Sequence, residues 1–253
     1  MVTCKLLGRT GNQMLIIAAT IGYAKKHGLE YHIPAHTQDD SKWKPMFTHL
    51  ENPNYDSSLT KIKIEERGFS FNHLPAPPYK NCNIELNGYF QSHKYFLHCI
   101  DDIKSAFKIP YEKTERGCVA IHIRLGDYNN LPDYHPVITK EYLQQAINYF
   151  ASRGINNFQL FSDDPNEAWD MVPEKLFNIS YQPFYRGYLA EELQDLSRGA
   201  SCDHTIGSNS SFSLWMYYLN QNPDKIGIFP SRWFGPKLPH DTKDLYPDNC
   251  III

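Results

Sequence analysis

The feature that most constrains the fold is an apolar run, GCVAIHI, at residues 117–123, which ends at Arg124. A strand that is apolar on both faces is typical of a parallel sheet covered by helices on both sides. The second half of the chain alternates such strand-like runs with helical stretches. The predicted strands are residues 117–124, 158–161, 204–207 and 225–229, and the predicted helices are residues 139–153, 164–171, 191–200 and 210–219. This alternation predicts an α/β fold around a parallel sheet.

The first half begins with a β-α-β pattern. Residues 2–7 predict a strand, residues 12–27 a helix that ends at Gly28, and residues 29–33 a second strand. Residues 34–78 are polar and rich in proline, which predicts long loops and short helices. A strand at 84–89 and a helix at 92–107 follow, and Pro110 ends that helix. We therefore predict two α/β lobes, residues 1–110 and 111–253.

Composition excludes several classes of partner. The 253 residues include 25 basic and 28 acidic side chains, so no strong overall charge indicates nucleic acid as a partner. No run of about 18 apolar residues suggests a membrane span, and the first residues do not resemble a signal peptide. The expected protein is soluble and cytoplasmic, with no membrane-spanning segment.

Ligands of open parallel sheets bind beyond the carboxyl ends of the strands, so the residues that follow each predicted strand are candidates for a site. The turn at residues 8–13, with Gly11 and Asn12, leads into a helix whose free N–H groups would suit an anion. The same turn can equally be a simple connection between a strand and a helix.

Arg124 ends the apolar run, where its guanidinium could bind two phosphate oxygens. A surface ion pair between Arg124 and Asp127 is the alternative. His122 should share a face with Arg124, because side chains two residues apart on a strand point the same way. A buried histidine with satisfied hydrogen bonds is the alternative for His122.

A third candidate begins the predicted helix after residue 207, where Asn209, Ser210 and Ser211 offer polar groups and free amides to a phosphate. An ordinary helix N-cap is the alternative. The sequence has no Asp-x-Asp pair, and the H-E-x-x-H and P-loop motifs are also absent. The prediction is a diphosphate site without a metal ion, in which arginine and helix N-termini balance the charge.

Seven segments, in the same order and with similar spacing, resemble the α-1,2-fucosyltransferases of glycosyltransferase family 11. They are residues 8–14 (GRTGNQM), 88–92 (GYFQS), 122–128 (HIRLGDY), 135–138 (HPVI), 161–164 (FSDD), 209–215 (NSSFSLW) and 230–234 (PSRWF). The resemblance extends over nearly the whole chain. It implies two Rossmann-like lobes with a central cleft (a GT-B-like architecture), GDP-fucose as the donor, inversion at the anomeric carbon, and no required metal or other cofactor. The acceptor it implies is a glycan, with O2 of a terminal β-galactoside as the expected hydroxyl.

The resemblance also implies roles for individual residues. Arg124 matches an arginine that binds the donor diphosphate, and Asn12, beside Gly11, matches an asparagine near donor and acceptor. The helix start at Ser210, Ser211 and Phe212, preceded by Asn209, matches the segment that holds the phosphates, and Asp195 is a candidate for reading the guanine edge. Residues 1–110 would then be the acceptor-side lobe and residues 111–253 the GDP-fucose lobe.

At one position the sequence departs from the family pattern, and the resemblance does not identify a general base. Many relatives carry a second arginine where this chain has Leu125, which we expect to point away from the phosphates. For a general base, Asp127 and His135 are the accessible candidates, and we select Asp127. A transferase of the same fold with another nucleotide sugar or linkage, or an inactive glycan-binding relative, are the alternative functions.

Overall fold

The computed structural model describes residues 1–34, 48–79, 81–111, 117–173, 179–180 and 191–253. The chain divides into two compact units, Met1–Ile109 with Asp241–Pro247, and Pro110–His240 with Asp248–Ile253. Residues 241–247, assigned to the second lobe by sequence, therefore pack with the first unit. Asp244 explains this, because its carboxylate accepts a hydrogen bond from the Phe71 backbone N–H at 3.1 Å and pairs with the Lys94 ammonium.

The first unit contains a three-stranded parallel sheet in the order β1-β3-β2, formed by β1 (Val2–Cys4), β2 (Lys61–Glu65) and β3 (Asn83–Asn87). The predicted strand at residues 29–33 is wrong, since only Tyr31 forms a bridge, to Val2. Pro34 follows closely and cannot donate to a strand ladder. In contrast, β2 lies inside the stretch predicted as loops and short helices.

Helix α1 (Thr10–His27) follows a turn at Gly8, whose φ of +71° favours glycine. Gly28, with φ of +63°, ends the helix as predicted. Nearly every residue from Thr10 to Ala24 is buried, so α1 is a central helix of its unit.

The predicted helix at residues 92–107 is only partly correct. It consists of two short 3-10 turns, His93–Tyr95 and Leu97–Cys99, followed by α2 (Ile100–Phe107). Phe96 separates the turns with a non-helical backbone and a fully buried side chain. Its burial takes precedence over a continuous helix at this point.

The second unit contains a six-stranded parallel sheet in the order β6-β5-β4-β7-β8-β9. Its strands are β4 (Cys118–Ile123), β5 (Asn157–Ser162), β6 (Ile179–Ser180), β7 (His204–Gly207), β8 (Gly227–Phe229) and β9 (Ile251–Ile252). Four of the six were predicted, and β6 and β9, of two residues each, were too short to recognise. The α/β fold with parallel sheets is confirmed.

Within the described residues of this unit, four α-helices accompany the sheet: α3 (Lys140–Ala151), α4 (Pro165–Met171), α5 (Glu191–Ser201) and α6 (Ser211–Leu219). Thr139 caps α3 as predicted, since its hydroxyl accepts the Tyr142 N–H at 3.2 Å. Asp164 caps α4 in the same way, through the Glu167 N–H.

The side chains of β4 divide between two faces. Val119, Ile121 and Ile123 join a hydrophobic core with α3, and Leu125 continues that face with no exposed surface. His122 points to the other face, where its ring contacts Phe212 of α6. Helices thus cover both faces, as the apolar run predicts, and Leu125 points into the core and away from the face of Arg124.

Candidate functional site

Arg124 lies directly after the last residue of β4, at the carboxyl end of a central strand of the sheet. Its backbone N–H donates to the Ser208 hydroxyl at 3.1 Å, which connects the ends of β4 and β7. Its side chain is only 15% exposed. The guanidinium is therefore held in place by the fold.

Two carboxylates and one aromatic ring contact this guanidinium. Nη1 lies 2.9 Å from Oδ2 of Asp163, and Nη2 forms a hydrogen bond with Oδ1 of Asp127. The guanidinium carbon is 5.6 Å from the centre of the Tyr128 ring. The alternative of an Arg124–Asp127 ion pair is thus present, but the arginine is mostly buried and has a second acidic partner.

Asp163 is a site residue that the sequence analysis missed. While Oδ2 contacts Arg124, Oδ1 accepts the Leu125 backbone N–H at 2.9 Å. One carboxylate thus fixes both the side chain and the backbone after β4. The adjacent Asp164 has a different role, since it caps α4 through the Glu167 N–H. The register of β5 beside β4, with Ile123 opposite Ser162, explains why Asp163 reaches Arg124.

Asp127, the candidate base, lies on a 3-10 turn, Gly126–Asn130, and its side chain is 38% exposed. A carboxylate paired with a guanidinium binds a proton less readily, so Asp127 would have to leave Arg124 to act as a base. His135, the other candidate, stacks on Tyr128 with ring centres 4.9 Å apart. Burial lowers the pKa of His135, which keeps the imidazole neutral near pH 7.

His122 matches the alternative of a buried histidine with satisfied hydrogen bonds. Its Nδ1 lies 2.7 Å from the Ser213 hydroxyl, which also accepts the Ser208 N–H at 3.2 Å. Because the Ser213 hydroxyl can also donate, Nδ1 of a neutral His122 imidazole can accept its proton. Burial and the nearby Arg124 charge lower the pKa of His122 to about 3. His122 is 5% exposed, and its hydrogen bond with Ser213 supports the first turn of α6.

The turn between β7 and α6 contains the third group of candidates. Ser210 is an N-cap that accepts the Phe212 N–H at 3.3 Å, so the ordinary-cap alternative is correct for its hydroxyl. Asn209 is buried, and its Nδ2 donates to the carbonyls of Pro136 and Trp233 at 2.9 and 2.8 Å. Asn209 thus links the motif segments at residues 135–138 and 230–234. Ser211 is half-buried in the first turn of α6.

Asp195, the candidate for reading guanine, is half-buried on α5. In the described part of the chain, the contacts of the Arg124 guanidinium involve Asp163, Asp127 and Tyr128 and do not include Asp195. Its proposed role therefore depends on the family resemblance alone.

The first unit contains the remaining candidates, Gly11 and Asn12, in the first turn of α1. Gly11 is buried, and Oδ1 of Asn12 accepts a hydrogen bond from Nε2 of Gln91 at 3.0 Å. The next side chain, Gln13, donates to the Gly8 carbonyl at 3.0 Å. Side-chain hydrogen bonds thus shape this turn, and the binding of an anion here stays a prediction.

The described residues bear on two further predictions, which concern metals and membranes. Within these ranges, no group of three or more His, Cys, Asp or Glu side chains is arranged to hold a metal ion. Among the same residues, no helix combines the length and apolar character needed to cross a bilayer. Independence from metals and location in the cell stay predictions.

Comparison with known proteins adds a family model described as glycosyl transferase family 11, which matches residues 1–246. The O-antigen biosynthesis glycosyltransferase WbnK of Escherichia coli is 30% identical over 154 residues, covering 58% of this chain and 48% of that protein. Galactoside alpha-(1,2)-fucosyltransferase 2 of Pongo pygmaeus is 26% identical over 241 residues, covering 86% of this chain and 68% of that protein. The chain thus spans about half the length of the first relative and about two thirds of the second.

A solved structure of POFUT1 in complex with GDP-fucose is also similar, with a TM-score of 0.47 and 13% identity. The match covers 90% of this chain and 96% of that one.

Proposed function

The chain belongs to glycosyl transferase family 11, and on that premise we propose that it transfers L-fucose from GDP-fucose to a hydroxyl group of a glycan. We take the acceptor to be O2 of a terminal β-galactoside, and the transfer to proceed with inversion and without a metal ion. The names of the relatives support this choice, since one is a galactoside alpha-(1,2)-fucosyltransferase. Membership of the family makes the chain a glycosyltransferase, and the sugar, linkage and acceptor are the proposed part.

The observation that carries the proposal is the Arg124 guanidinium, held at the end of β4 by Asp163. Arginine has five N–H donors in a fixed plane, which suits the two oxygens of a phosphate. Ser211 and Phe212 begin α6 in the same unit, where the first amides of a helix attract an anion. These groups together would bind the diphosphate.

One of the two carboxylates beside Arg124 must move to admit such an anion. One guanidinium facing two carboxylates leaves a net negative charge, which repels a diphosphate. Asp127 is more exposed than Asp163, 38% against 27% for the side chain, and lies on a short turn. We propose that the diphosphate replaces Asp127 on Arg124 while Asp163 stays in place. Asp127 would then be released to accept a proton.

In the proposed reaction, the acceptor hydroxyl attacks the anomeric carbon from the face opposite GDP. A carbon–oxygen bond forms there as the bond to the β-phosphate oxygen breaks, and GDP leaves with both electrons. Asp127 takes the proton of the hydroxyl. Negative charge grows on the leaving phosphate, where Arg124 and the α6 amides stabilise it. Asp195 would accept hydrogen bonds from the guanine edge.

The first unit would supply the acceptor side. Asn12, beside Gly11, is proposed to contact donor and acceptor near the reacting carbon. Gln91 donates a hydrogen bond to the Asn12 oxygen, which fixes the orientation of this amide.

The first experiment measures GDP release from GDP-fucose with a panel of galactosides, and determines the linkage of the product. Arg124→Ala is expected to lower turnover at least about a hundredfold, as expected for losing one donor to a developing oxyanion. Circular dichroism should show an intact fold. Near-normal turnover in this variant contradicts the assignment of Arg124.

Arg153→Ala provides a matched control, because Arg153 also lies over a tyrosine ring, that of Tyr149, but on an exposed surface. It should retain full activity.

Binding of GDP, UDP and dTDP tests the donor, and tight binding of UDP alone would favour another nucleotide sugar. Retention of activity in EDTA is expected. Binding of galactosides with no transfer would instead indicate an inactive glycan-binding relative.

A further inference from the structure

The segment after β3 adopts a backbone that few sequences tolerate. Gly88 has φ of +154°, and Phe90 has φ of +47°, although Phe90 is not glycine. The Phe90 side chain is also completely buried, against the ring of Tyr95. A bulky residue takes this left-handed conformation only where its surroundings impose it. Some group must therefore hold the turn at residues 88–91.

Glu66 is that group. Its Oε2 accepts two backbone N–H bonds, from Tyr89 at 2.7 Å and from Phe90 at 2.8 Å. The Gln91 N–H also contributes to stabilising the carboxylate. The backbone N–H of Glu66 donates to the Asn87 carbonyl at 2.9 Å, so the residue is itself anchored to the end of β3. Successive amides that converge on one oxygen form a nest for an anion.

The environment of this carboxylate is unusual for a structural acid. Its other oxygen, Oε1, is buried and has no hydrogen-bond partner in the described part of the chain. Burial raises the pKa of Glu66, and the amides only partly oppose this effect. A half-buried acid with a buried oxygen, supported by neutral amides, costs stability compared with an exposed one. We take this cost to indicate that Glu66 has a role in holding the turn.

The turn that Glu66 holds also positions a candidate site residue. Gln91 is 4% exposed, and its Nε2 donates to Oδ1 of Asn12 at 3.0 Å. A buried side chain that follows directly after a fixed backbone has little freedom to move. The Asn12 amide is therefore oriented by Gln91, and Gln91 by the turn on Glu66.

We propose that Glu66 is a positioning residue that fixes the orientation of the Asn12 amide through the 88–91 turn and Gln91. The effect on catalysis depends on the proposed function, in which Asn12 contacts the substrates. The effect of Glu66 on the orientation of the Asn12 amide does not depend on the proposed function.

The test compares three substitutions. Glu66→Ala removes the oxygen that accepts the Tyr89 and Phe90 amides, and we expect kcat to fall at least about tenfold while KM for GDP-fucose changes less than about threefold. Glu66→Gln retains one oxygen that can accept both amides, so kcat should stay within about threefold of the wild type. Glu65→Ala is the matched control, since Glu65 is the neighbouring residue and accepts a hydrogen bond from the Asn87 side chain on the exposed surface. This variant should behave as the wild type.

A double-mutant cycle with Gln91→Ala tests whether Glu66 acts on Asn12 through Gln91. If both residues act through Asn12, Glu66→Ala combined with Gln91→Ala should lower kcat no further than the more damaging single change. Multiplication of the two effects would overturn the proposed route. Should Glu66→Ala fail to fold, Glu66→Asp replaces it, because it retains the charge but withdraws the carboxylate by one methylene group.

NMR of the Asn12 side-chain amide separates this inference from the proposed function. Its ¹⁵N–¹H resonances should shift in Glu66→Ala and Gln91→Ala, and stay in place in Glu66→Gln and Glu65→Ala. These shifts with no fucosyl transfer by the wild-type protein would support the positioning role and refute the function. Unchanged resonances and unchanged kcat in Glu66→Ala, in an active enzyme, would overturn the positioning role.

Discussion

The buried His122 makes a quantitative prediction about acid stability. Its pKa is about 3 in the folded chain, against 6.5 for an unperturbed histidine, because the ring is buried and Arg124 is nearby. Between these values the unfolded chain binds a proton that the folded chain does not. The stabilisation is therefore complete above pH 6.5 and is lost as the pH falls from 6.5 towards 3.

The size of this effect follows from the two pKa values. Going from pH 7.5 to 5.5, proton binding to the unfolded chain at this one histidine lowers the free energy of unfolding by about 1 kcal/mol. At pH 4.5 the loss reaches about 3 kcal/mol. Since pH 5.5 lies far above the folded pKa of about 3, almost all of the first change comes from proton binding to the unfolded chain.

His122→Asn isolates this contribution. Asparagine places a polar atom close to the position of Nδ1, so the bond to Ser213 can be retained while the titration is removed. Urea unfolding of both proteins, followed by tryptophan fluorescence, should be measured at pH 7.5, 6.5 and 5.5. A constant difference between the proteins reflects packing and is subtracted. The wild type should lose about 1 kcal/mol more than the variant by pH 5.5.

Parallel curves for the two proteins would refute the argument, because they would show that His122 takes up its proton equally in both states. Other histidines with lowered pKa values, such as His204, contribute to the acid sensitivity of both proteins alike. They therefore cancel in the comparison.

Two further predictions concern the residues around Arg124. Asp163→Asn should lower kcat/KM about tenfold or more, because the new amide either turns a donor towards the Arg124 guanidinium or loses the bond from the Leu125 N–H. Asp164→Asn is the control, because asparagine is also a good N-cap, and its kcat/KM should stay close to that of the wild type. Full activity of Asp163→Asn would remove Asp163 from the site. Leu125→Ala should lower the free energy of unfolding by about 2–5 kcal/mol, since Leu125 is fully buried in the core of the second unit. Equilibrium denaturation measures this, and a loss below about 1 kcal/mol would contradict the packing described for Leu125.

The sequence predicted best those elements whose signal is local. The bounds of β7 were predicted correctly because its four residues are buried and both of its ends lie next to turn residues. Arg124 was recognised because it follows an apolar strand. β2, with the sequence KIKIE, was missed because it is a partly exposed edge strand among polar, proline-rich residues.

The residues that the sequence could not assign depend on which elements are neighbours. Asp163 reaches Arg124 because β5 pairs with β4, and no local pattern reveals that pairing. The role of Glu66 could not be predicted for a different reason, since its partners are backbone amides of residues more than twenty positions away. Ser210 shows the opposite case, a hydroxyl whose ordinary capping role is what its position suggests.

The return of residues 241–247 to the first unit affects how the protein can be engineered. A chimera with a relative that exchanges everything after residue 110 would also replace Asp244, and with it the partner of the Phe71 amide and the Lys94 ammonium. Because residues 248–253 belong to the second unit again, an exchange of that unit alone requires three junctions, near residues 110, 240 and 247. Shortening the chain from its carboxyl end past residue 244 would likewise damage the unit that begins at residue 1.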